Sequence, residues 1–238
     1  MSSAAISRLV LFDIDGTLLW TDGAGRRAME AALLSVFGSK GTRRYRYDGK
    51  TDQQIVRELM RDEGHDDEGI DLRMPLVMEQ YLLRLEDELS SPATSVKVLP
   101  GVLDLLDALA PRNDCLTGLL TGNLEFGAAK KLAVAGIDVK RFAVCAYGSD
   151  HEARDELPRI AQRRAVEHLG RDFPGDAVVI IGDTPADISC GRHIGARAIA
   201  VATGRYSVGQ LAEHAPAAVF EDLRDTESVV RVIFDGGM

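Results

Sequence analysis

The sequence predicts an α/β fold with a mostly parallel sheet and helices on both of its faces. Beyond residue 92, apolar runs typical of strands alternate with segments of helical spacing, which is the pattern of parallel strands joined by helices. Residues 20–92 show helical spacing without strand-like alternation. A chain of 238 residues has room for one large core, or for a core and a small second module.

Each predicted element follows from its own pattern of apolar residues. The first strand is the short apolar run 9–12, which ends at an aspartate. Before a linker at 90–92, helices are predicted at 25–37, 55–60 and 76–89. After the linker, strands are predicted at 96–99, 116–121, 142–145, 178–181, 198–201 and 218–220. The helices that alternate with them are predicted at 102–109, 126–134, 157–168, 188–194 and 228–234.

The most informative stretch is Asp-Ile-Asp-Gly-Thr at residues 13–17, directly after the first predicted strand. Asp13 and Asp15 are close in the chain, and like charges in one small pocket need a cation or a proton between them. In open α/β sheets, ligands bind at the carboxyl ends of strands. The pattern predicts a metal-dependent carboxylate site in which one aspartate attacks and the other moves protons. The alternative is a polar turn, since Asp and Gly are common turn residues.

A second predicted strand ends in Thr121, Gly122 and Asn123, just before a predicted helix. Hydroxyl and backbone N–H groups at the start of a helix can bind an anion. Thr and Asn are also favoured there as helix caps, so this segment alone is better explained by capping.

A third predicted strand is followed by Asp183, and Asp187 lies in the first turn of the next helix. Acidic residues are favoured near a helix N-terminus in any case, so Asp187 alone indicates little. Asp183 beside Asp13 and Asp15 would provide the oxygen ligands that suit Mg²⁺.

Taken together, these three segments resemble the motifs of the haloacid dehalogenase superfamily of phosphohydrolases. The first, second and fourth motifs of that family are matched in order by DIDGT at 13–17, LTGN at 120–123 and GDTPAD at 182–187. The resemblance covers nearly the whole chain and is closest to the phosphoglycolate phosphatase-like branch. It implies a Rossmann-like core formed by residues 1–19 and 93–238. It also implies an all-helical cap at 20–92, inserted between the first and second motifs.

The resemblance further implies a phosphatase that hydrolyses a small phosphate monoester with Mg²⁺ as its cofactor. Asp13 would attack phosphorus and form an aspartyl phosphate. Asp15 would protonate the leaving oxygen and then accept a proton from the hydrolytic water. Thr121 and the backbone amide of Gly122 or Asn123 would bind the phosphoryl oxygens.

The same resemblance implies a set of metal ligands. Mg²⁺ would be held by the Asp13 carboxylate, the Asp15 backbone carbonyl and Asp183, and it would screen charge between two anions. Asp187 would orient the waters of the metal without binding it directly.

The third motif of the family is usually a lysine, and here the sequence departs from the pattern, since no lysine follows Lys140. Arg154 is the predicted cation that faces the nucleophile, with Arg159 as the second candidate. Lys130 and Lys131 follow the second motif on a helix. At ~1.5 Å per residue they lie on the order of 10 Å from its start, so both are predicted to be too distant.

A lysine of the predicted cap, Lys50, lies in the segment Gly-Lys-Thr-Asp at 49–52. Related small-molecule phosphatases place a cap loop over the active site, so the resemblance implies that Lys50 contacts a carboxylate or a second phosphate of the substrate. The alternative is a solvated loop in which Thr51 or Asp52 caps the following helix.

Charge and composition restrict the partners. The net charge of −9 argues against a nucleic-acid binder, because phosphate-backbone affinity needs clustered Lys and Arg. No window approaches the ~18 apolar residues that a membrane helix needs, and no signal peptide is recognised. We therefore expect a cytoplasmic enzyme that acts on a small phosphorylated metabolite.

Several alternatives stay open. A phosphomutase shares the same motifs and differs in how well the cap excludes water. A phosphate- or protein-binding module on the same fold is the non-catalytic alternative. Phosphoglycolate, a sugar phosphate and a nucleoside monophosphate are all candidate substrates, and the sequence does not indicate the oligomeric state. A dehalogenase needs neither Asp15 nor Asp183, and a phosphonatase lacks Asp15, so both activities are disfavoured.

Overall fold

The computed structural model describes residues 7–235. Its strands in this range are β1 (Arg8–Phe12), β2 (Leu19–Trp20), β3 (Lys97–Val98), β4 (Cys115–Thr121), β5 (Val144–Tyr147), β6 (Val178–Gly182), β7 (Arg197–Val201) and β8 (Ala218–Phe220). Its α-helices are α1 (Ala24–Phe37), α2 (Asp52–Asp62), α3 (Asp67–Ser90), α4 (Val102–Leu109), α5 (Glu125–Val134), α6 (Leu157–Leu169), α7 (Pro185–Cys190), α8 (Val208–Ala212) and α9 (Thr226–Asp235).

The main sheet has six parallel strands in the order β5-β4-β1-β6-β7-β8. The first strand of the chain therefore lies in the middle. The chain adds strands on one side of it and then on the other, so the order reverses between β1 and β6, as in Rossmann folds. The predicted α/β fold with a parallel sheet is confirmed. The reversal point is where ligands of such sheets bind.

Both faces of the sheet are covered, because alternate residues of a strand point to opposite faces. In β1, Val10 and Phe12 join one buried apolar cluster, together with residues of α4 and α9. Leu9 and Leu11 join a second cluster, with residues of α6. The continuous apolar run of β1 thus reflects a strand that is buried on both sides.

The segment between β2 and β3 is helical and has its own apolar core. Helices α1, α2 and α3 contribute buried residues to one cluster, and Leu124 of the main body joins it. Thr51 begins α2 by accepting a hydrogen bond from the Gln54 backbone, as expected for a helix cap. The core boundaries at 1–19 and 93–238, and the cap at 20–92, remain our proposed division of the chain.

The strand predicted at 96–99 is present at Lys97–Val98 but lies outside the parallel sheet. It pairs antiparallel with β2, with Leu19 opposite Val98 and Trp20 opposite Lys97. The two connections between the helical segment and the main body are therefore bonded to each other. No helix within residues 7–235 is long and apolar enough to cross a membrane.

Candidate active site

Asp13 lies at the carboxyl end of β1 and is only 5% exposed. Its backbone N–H donates to the Ile181 carbonyl at 3.0 Å, so the pairing of β1 with β6 continues into the site. Burial raises the pKa of Asp13 from 3.8 to about 6. The Arg154 guanidinium opposes the rise, while Asp187 and Asp15 add to it. A carboxylate at this position needs a cation to be stable at neutral pH.

The Asp15 carboxylate faces two partners from the second-motif region. Asn123 donates from Nδ2 to Oδ2 at 2.8 Å, and Lys131 Nζ lies 2.8 and 2.6 Å from Oδ1 and Oδ2. Lys131 also contacts Asn123 Oδ1 at 2.6 Å, and its side chain is almost fully buried. Together these groups fix the orientation of the Asp15 carboxylate.

The prediction that Lys131 lies too far from the site is wrong. The predicted distance considered only the rise along the helix axis and left out the direction and length of the side chain. In an α-helix the Cα–Cβ bonds tilt toward the N-terminus, and lysine has a long stem. The side chain of Lys131 therefore extends back to Asp15, whereas Lys130 points to Glu86 of α3. The spacing of Asn123 and Lys131, about two helical turns apart, is the signal in the sequence that indicates a shared face.

Arg154 is buried and lies beside the predicted nucleophile. One of its terminal nitrogens, Nη2, is 3.3 Å from Asp13 Oδ1 and 2.5 Å from Asp187 Oδ1. Its Nε is buried without a hydrogen-bond partner in the described structure. Arg159, the second candidate, is not brought to the site: it is exposed and pairs with Glu156.

Asp183 and Asp187 are brought close to Asp13, and one oxygen from each of the three carboxylates lies within 4.8 Å of the others. Burial raises the pKa of Asp183 well above its ordinary value, and Asp187 and Asp13 raise it further. Three buried carboxylates are the hard oxygen donors that divalent cations such as Mg²⁺ prefer. The donor set therefore fits a divalent cation.

Asp187 is held by its surroundings. Its Oδ1 contacts Arg154, and its Oδ2 accepts from the Thr184 backbone and hydroxyl at 3.0 and 2.6 Å. Thr184 and Asp187 together form the capping box that begins α7, because the side chain of each accepts a hydrogen bond from the backbone of the other. Asp183 has fewer polar contacts. Thr17 donates to its Oδ1 at 3.2 Å. Its Oδ2 faces Gly16 and Gly204, and a Cβ added to either glycine would lie 2.4 or 1.8 Å, respectively, from that oxygen.

The second-motif loop presents a buried threonine to the same space. The Thr121 hydroxyl accepts from Asn123 Nδ2 at 2.8 Å, which leaves its own proton free to donate. Gly122 lies against the cap, because an added Cβ would meet the Lys50 carbonyl oxygen at 2.0 Å. Thr121 and the amides beside it are therefore placed to bind an anion, as at other helix starts.

The cap contacts this loop directly. The Asp52 N–H donates to the Gly122 carbonyl at 2.8 Å, and Asp52 Oδ2 accepts from the Leu124 N–H at 2.9 Å. Burial raises the pKa of Asp52 to about 6, although Lys131 and two hydrogen bonds, from the Leu124 backbone and the Tyr81 hydroxyl, partly oppose the rise. Asp52 and Tyr81 were not singled out from the sequence, which suggests only a helix-capping role for Asp52.

Lys50 lines the cavity but is engaged within the cap. Its Nζ pairs with Glu58 and lies 3.0 Å from the Tyr45 hydroxyl and 4.3 Å from the centre of the Tyr45 ring. Contact between Lys50 and a substrate would require Lys50 to exchange or share these partners.

Most of the site residues described above line one cavity of about 320 Å³ between the cap and the carboxyl end of the sheet, whereas Asp187 lies behind its lining. Its floor holds both carboxylates of the first motif, Thr121, Arg154 and Asp183, and its roof is the segment 43–50 of the cap. The volume is in the range of small-molecule sites.

Comparison with known proteins agrees with the family resemblance of the motifs. A family model described as HAD-hydrolase-like matches residues 157–226. Phosphoglycolate phosphatase 1 of Pseudomonas aeruginosa is 28% identical over 227 residues, which cover 92% of this chain and 78% of that protein. The resemblance of the chain to the haloacid dehalogenase superfamily is confirmed. The chain is a hydrolase of the phosphatase type, similar to the phosphoglycolate phosphatases of that superfamily.

Two further proteins are similar to this chain. Phosphoglycolate phosphatase of Synechococcus elongatus is 29% identical over 132 residues, which cover 55% of this chain and 58% of that protein. The crystal structure of a hydrolase from Pseudomonas syringae superposes with a TM-score of 0.73 at 21% identity, covering 98% of this chain and all of that one. The similarity to the Pseudomonas syringae hydrolase concerns the fold alone, and it confirms an α/β core with a helical cap.

Proposed function

We propose that this protein is a Mg²⁺-dependent phosphatase that hydrolyses a small phosphate monoester through an aspartyl phosphate on Asp13. The observation that carries the proposal is the arrangement of Asp13, buried beside Arg154 and within reach of Asp183 and Asp187. The names of the similar phosphatases support a phosphoglycolate-like substrate, and a sugar phosphate is the other candidate. We also propose a cytoplasmic location, on the sequence alone.

In this mechanism Asp13 attacks phosphorus, forming the Asp13–phosphorus bond while the bond to the leaving oxygen breaks. Asp15 donates a proton to that oxygen and then accepts one from the water that hydrolyses the intermediate. Lys131 and Asn123 hold the Asp15 carboxylate in place for both steps. Positioning of this kind contributes strongly to rate, since a misplaced group loses most of its effect.

The phosphoryl oxygens are bound by Thr121, by the amides of Gly122 or Asn123, and by Arg154. The free N–H of Arg154 Nε is a donor that lacks a partner in the described structure and suits a phosphoryl oxygen. Arginine stabilises this charge without acting as a proton donor.

Asp13 and Asp183 would hold Mg²⁺ through their carboxylates and Asp15 through its backbone carbonyl. Asp187, whose oxygens already contact Arg154 and Thr184, would orient the surrounding waters. When bound, the cation screens charge between the nucleophile and the phosphoryl group.

The test is a panel of small phosphate esters assayed for phosphate release with Mg²⁺ and with EDTA, using wild type and Asp13→Asn. We expect release that needs Mg²⁺ and disappears in Asp13→Asn, with both proteins equally folded by circular dichroism. Release that is unaffected by EDTA, or that persists in Asp13→Asn, would refute the proposal. Isomerisation of a sugar phosphate without net release would indicate a phosphomutase instead.

A further inference from the structure

The roof of the cavity carries a run of arginines that the proposed mechanism does not use. Residues 43–46 of the cap, Arg-Arg-Tyr-Arg, all line the cavity; we call them the arginine segment. The side chains of Arg43, Arg44 and Arg46 are exposed, and none forms an ion pair or hydrogen bond with another residue of the described range. In a chain with a net charge of −9, three unpaired cations at the entrance of one cavity are a local reversal of charge.

The backbone of the arginine segment is held from below by Arg26 of α1. Arg26 donates to the carbonyls of Arg43 and Tyr45 at 3.0 and 3.3 Å, and Glu30 orients it at 2.8 Å. Its guanidinium also stacks on the Tyr47 ring at 4.7 Å. The loop is therefore fixed, whereas the charged ends of its three arginines are left free.

A second, independent observation comes from Tyr47, which lines the same cavity. Its hydroxyl oxygen is buried and has no hydrogen-bond partner within the described residues. Burial raises the pKa of Tyr47 to about 12, so the group stays neutral and able to donate. A buried donor without a partner is costly, and a ligand oxygen would satisfy it.

We propose that the arginine segment and Tyr47 bind a second phosphoryl group, at the end of the substrate opposite to the reacting phosphate. The proposal rests on the function proposed above and narrows its substrate class to esters with two phosphoryl groups, such as sugar bisphosphates. A phosphoryl group has up to two charges and three acceptor oxygens, which matches several arginines and a hydroxyl. A lone carboxylate would need only one bidentate arginine.

Two carboxylates near the arginine segment already form ion pairs with other basic residues. Asp48 of the same loop pairs with Arg205 at 3.2 Å, and Glu58 pairs with Lys50. Neither carboxylate neutralises the arginine segment, which leaves its charge available to a ligand.

The test compares phosphate release from glucose 1,6-bisphosphate and from glucose 6-phosphate. For wild type we expect kcat/KM for the bisphosphate to exceed that for the monophosphate by about tenfold or more, ~1.4 kcal/mol. In R43Q/R44Q/R46Q this ratio falls to near one, and in Tyr47→Phe it falls by a smaller factor. Rising ionic strength lowers the wild-type ratio, since exposed charges are screened.

The matched control is R159Q/R163Q/R231Q, which removes three exposed arginines that lie on α6 and α9, away from the cavity. This control keeps the wild-type ratio if the effect is local. A wild-type ratio near one, or an unchanged ratio in R43Q/R44Q/R46Q, would overturn the inference. Absence of Mg²⁺-dependent release from p-nitrophenyl phosphate by wild type would instead overturn the proposed function, so the two failures are distinguishable.

Discussion

At the scale of single residues, Lys131 is the group that most changes the description of the site. It is buried, and its ammonium contacts Asp15 and Asn123 and lies in the field of Asp52. It therefore links the proposed proton-transfer residue to the residue through which the cap contacts the core. A buried cation with several oxygen partners holds each of them in a defined orientation.

Lys131→Met should reduce kcat by about 10- to 100-fold, because a displaced Asp15 transfers protons poorly. The effect is measured by steady-state kinetics on p-nitrophenyl phosphate with Mg²⁺. Lys130→Met is the matched control, since Lys130 is partly exposed and, within residues 7–235, its ammonium pairs with Glu86 of the cap and not with the site. Equal kcat values for the two variants would refute the positioning role of Lys131.

Asp52 gives a prediction about pH. Burial raises its pKa from 3.8 to about 6, against the opposing effect of Lys131. Its contribution to stability is therefore complete below pH 4 and is lost as the pH rises through about 6. The free energy of unfolding of Asp52→Asn relative to wild type should increase by up to ~3 kcal/mol between pH 4 and 7. Denaturant unfolding at several pH values measures this difference, and parallel pH profiles would contradict it.

The residues at strand ends could be predicted from the sequence directly, whereas Lys131 is indicated only by its spacing from Asn123. Asp13, Thr121 and Asp183 each follow an apolar run, and parallel strands bring such ends together without further information. The position of Lys131 depends on the direction of one side chain across two helical turns. The arginine segment has no apolar periodicity, so nothing in its pattern places it over the cavity.

At the scale of elements, the contact between the start of α2 and the second-motif loop determines how the cap covers the site. Gly122 allows the Lys50 carbonyl to approach, and the N–H of Asp52 bonds to the Gly122 carbonyl. Thr51 donates to the Glu152 carbonyl at 2.6 Å, and Arg57 pairs with the Glu152 carboxylate. The first turns of α2 are thus bonded to two loops of the core.

Gly122→Ala should displace the cap from this loop, because the new Cβ would lie 2.0 Å from the Lys50 carbonyl oxygen. The φ angle of Gly122 is not positive, so the backbone itself tolerates alanine. We expect kcat/KM to fall about 100-fold, as for other ångström-scale displacements of a site. Gly209→Ala is the control, since no atom lies within 4 Å of its added Cβ. Comparable kcat/KM values for both variants would contradict the role of this contact.

At the scale of the whole molecule, the strand order brings residues from distant parts of the chain to one edge. The reversal between β1 and β6 leaves a crevice at the carboxyl end of the sheet, and the cap closes it from above. The parallel sheet followed from the alternation of strand and helix patterns beyond residue 92, and the helices between β2 and β3 followed from the helical spacing of residues 20–92. The pairing of β2 with β3 did not, because two-residue strands have too little pattern to indicate a partner.

Removal of the metal tests the carboxylate cluster as a unit. Saturating Mg²⁺ should stabilise the wild type, by ~2.7 kcal/mol at a hundredfold excess over Kd. Asp183→Asn should lose this stabilisation. It should also be more stable than wild type in EDTA, since one buried charge between Asp13 and Asp187 is gone. Thermal unfolding measures both effects, with the exposed Asp104→Asn as control. A Mg²⁺ shift that survives in Asp183→Asn would place the metal elsewhere.

The central claim is that Asp13 carries the phosphoryl group, and mass spectrometry tests it most directly. The protein is quenched in acid during turnover of p-nitrophenyl phosphate with Mg²⁺, digested, and searched for peptides that carry one added phosphoryl group. We predict an adduct on Asp13 that is absent from Asp13→Asn, which also releases no phosphate. An adduct on another residue, or continued phosphate release by Asp13→Asn, would contradict the account.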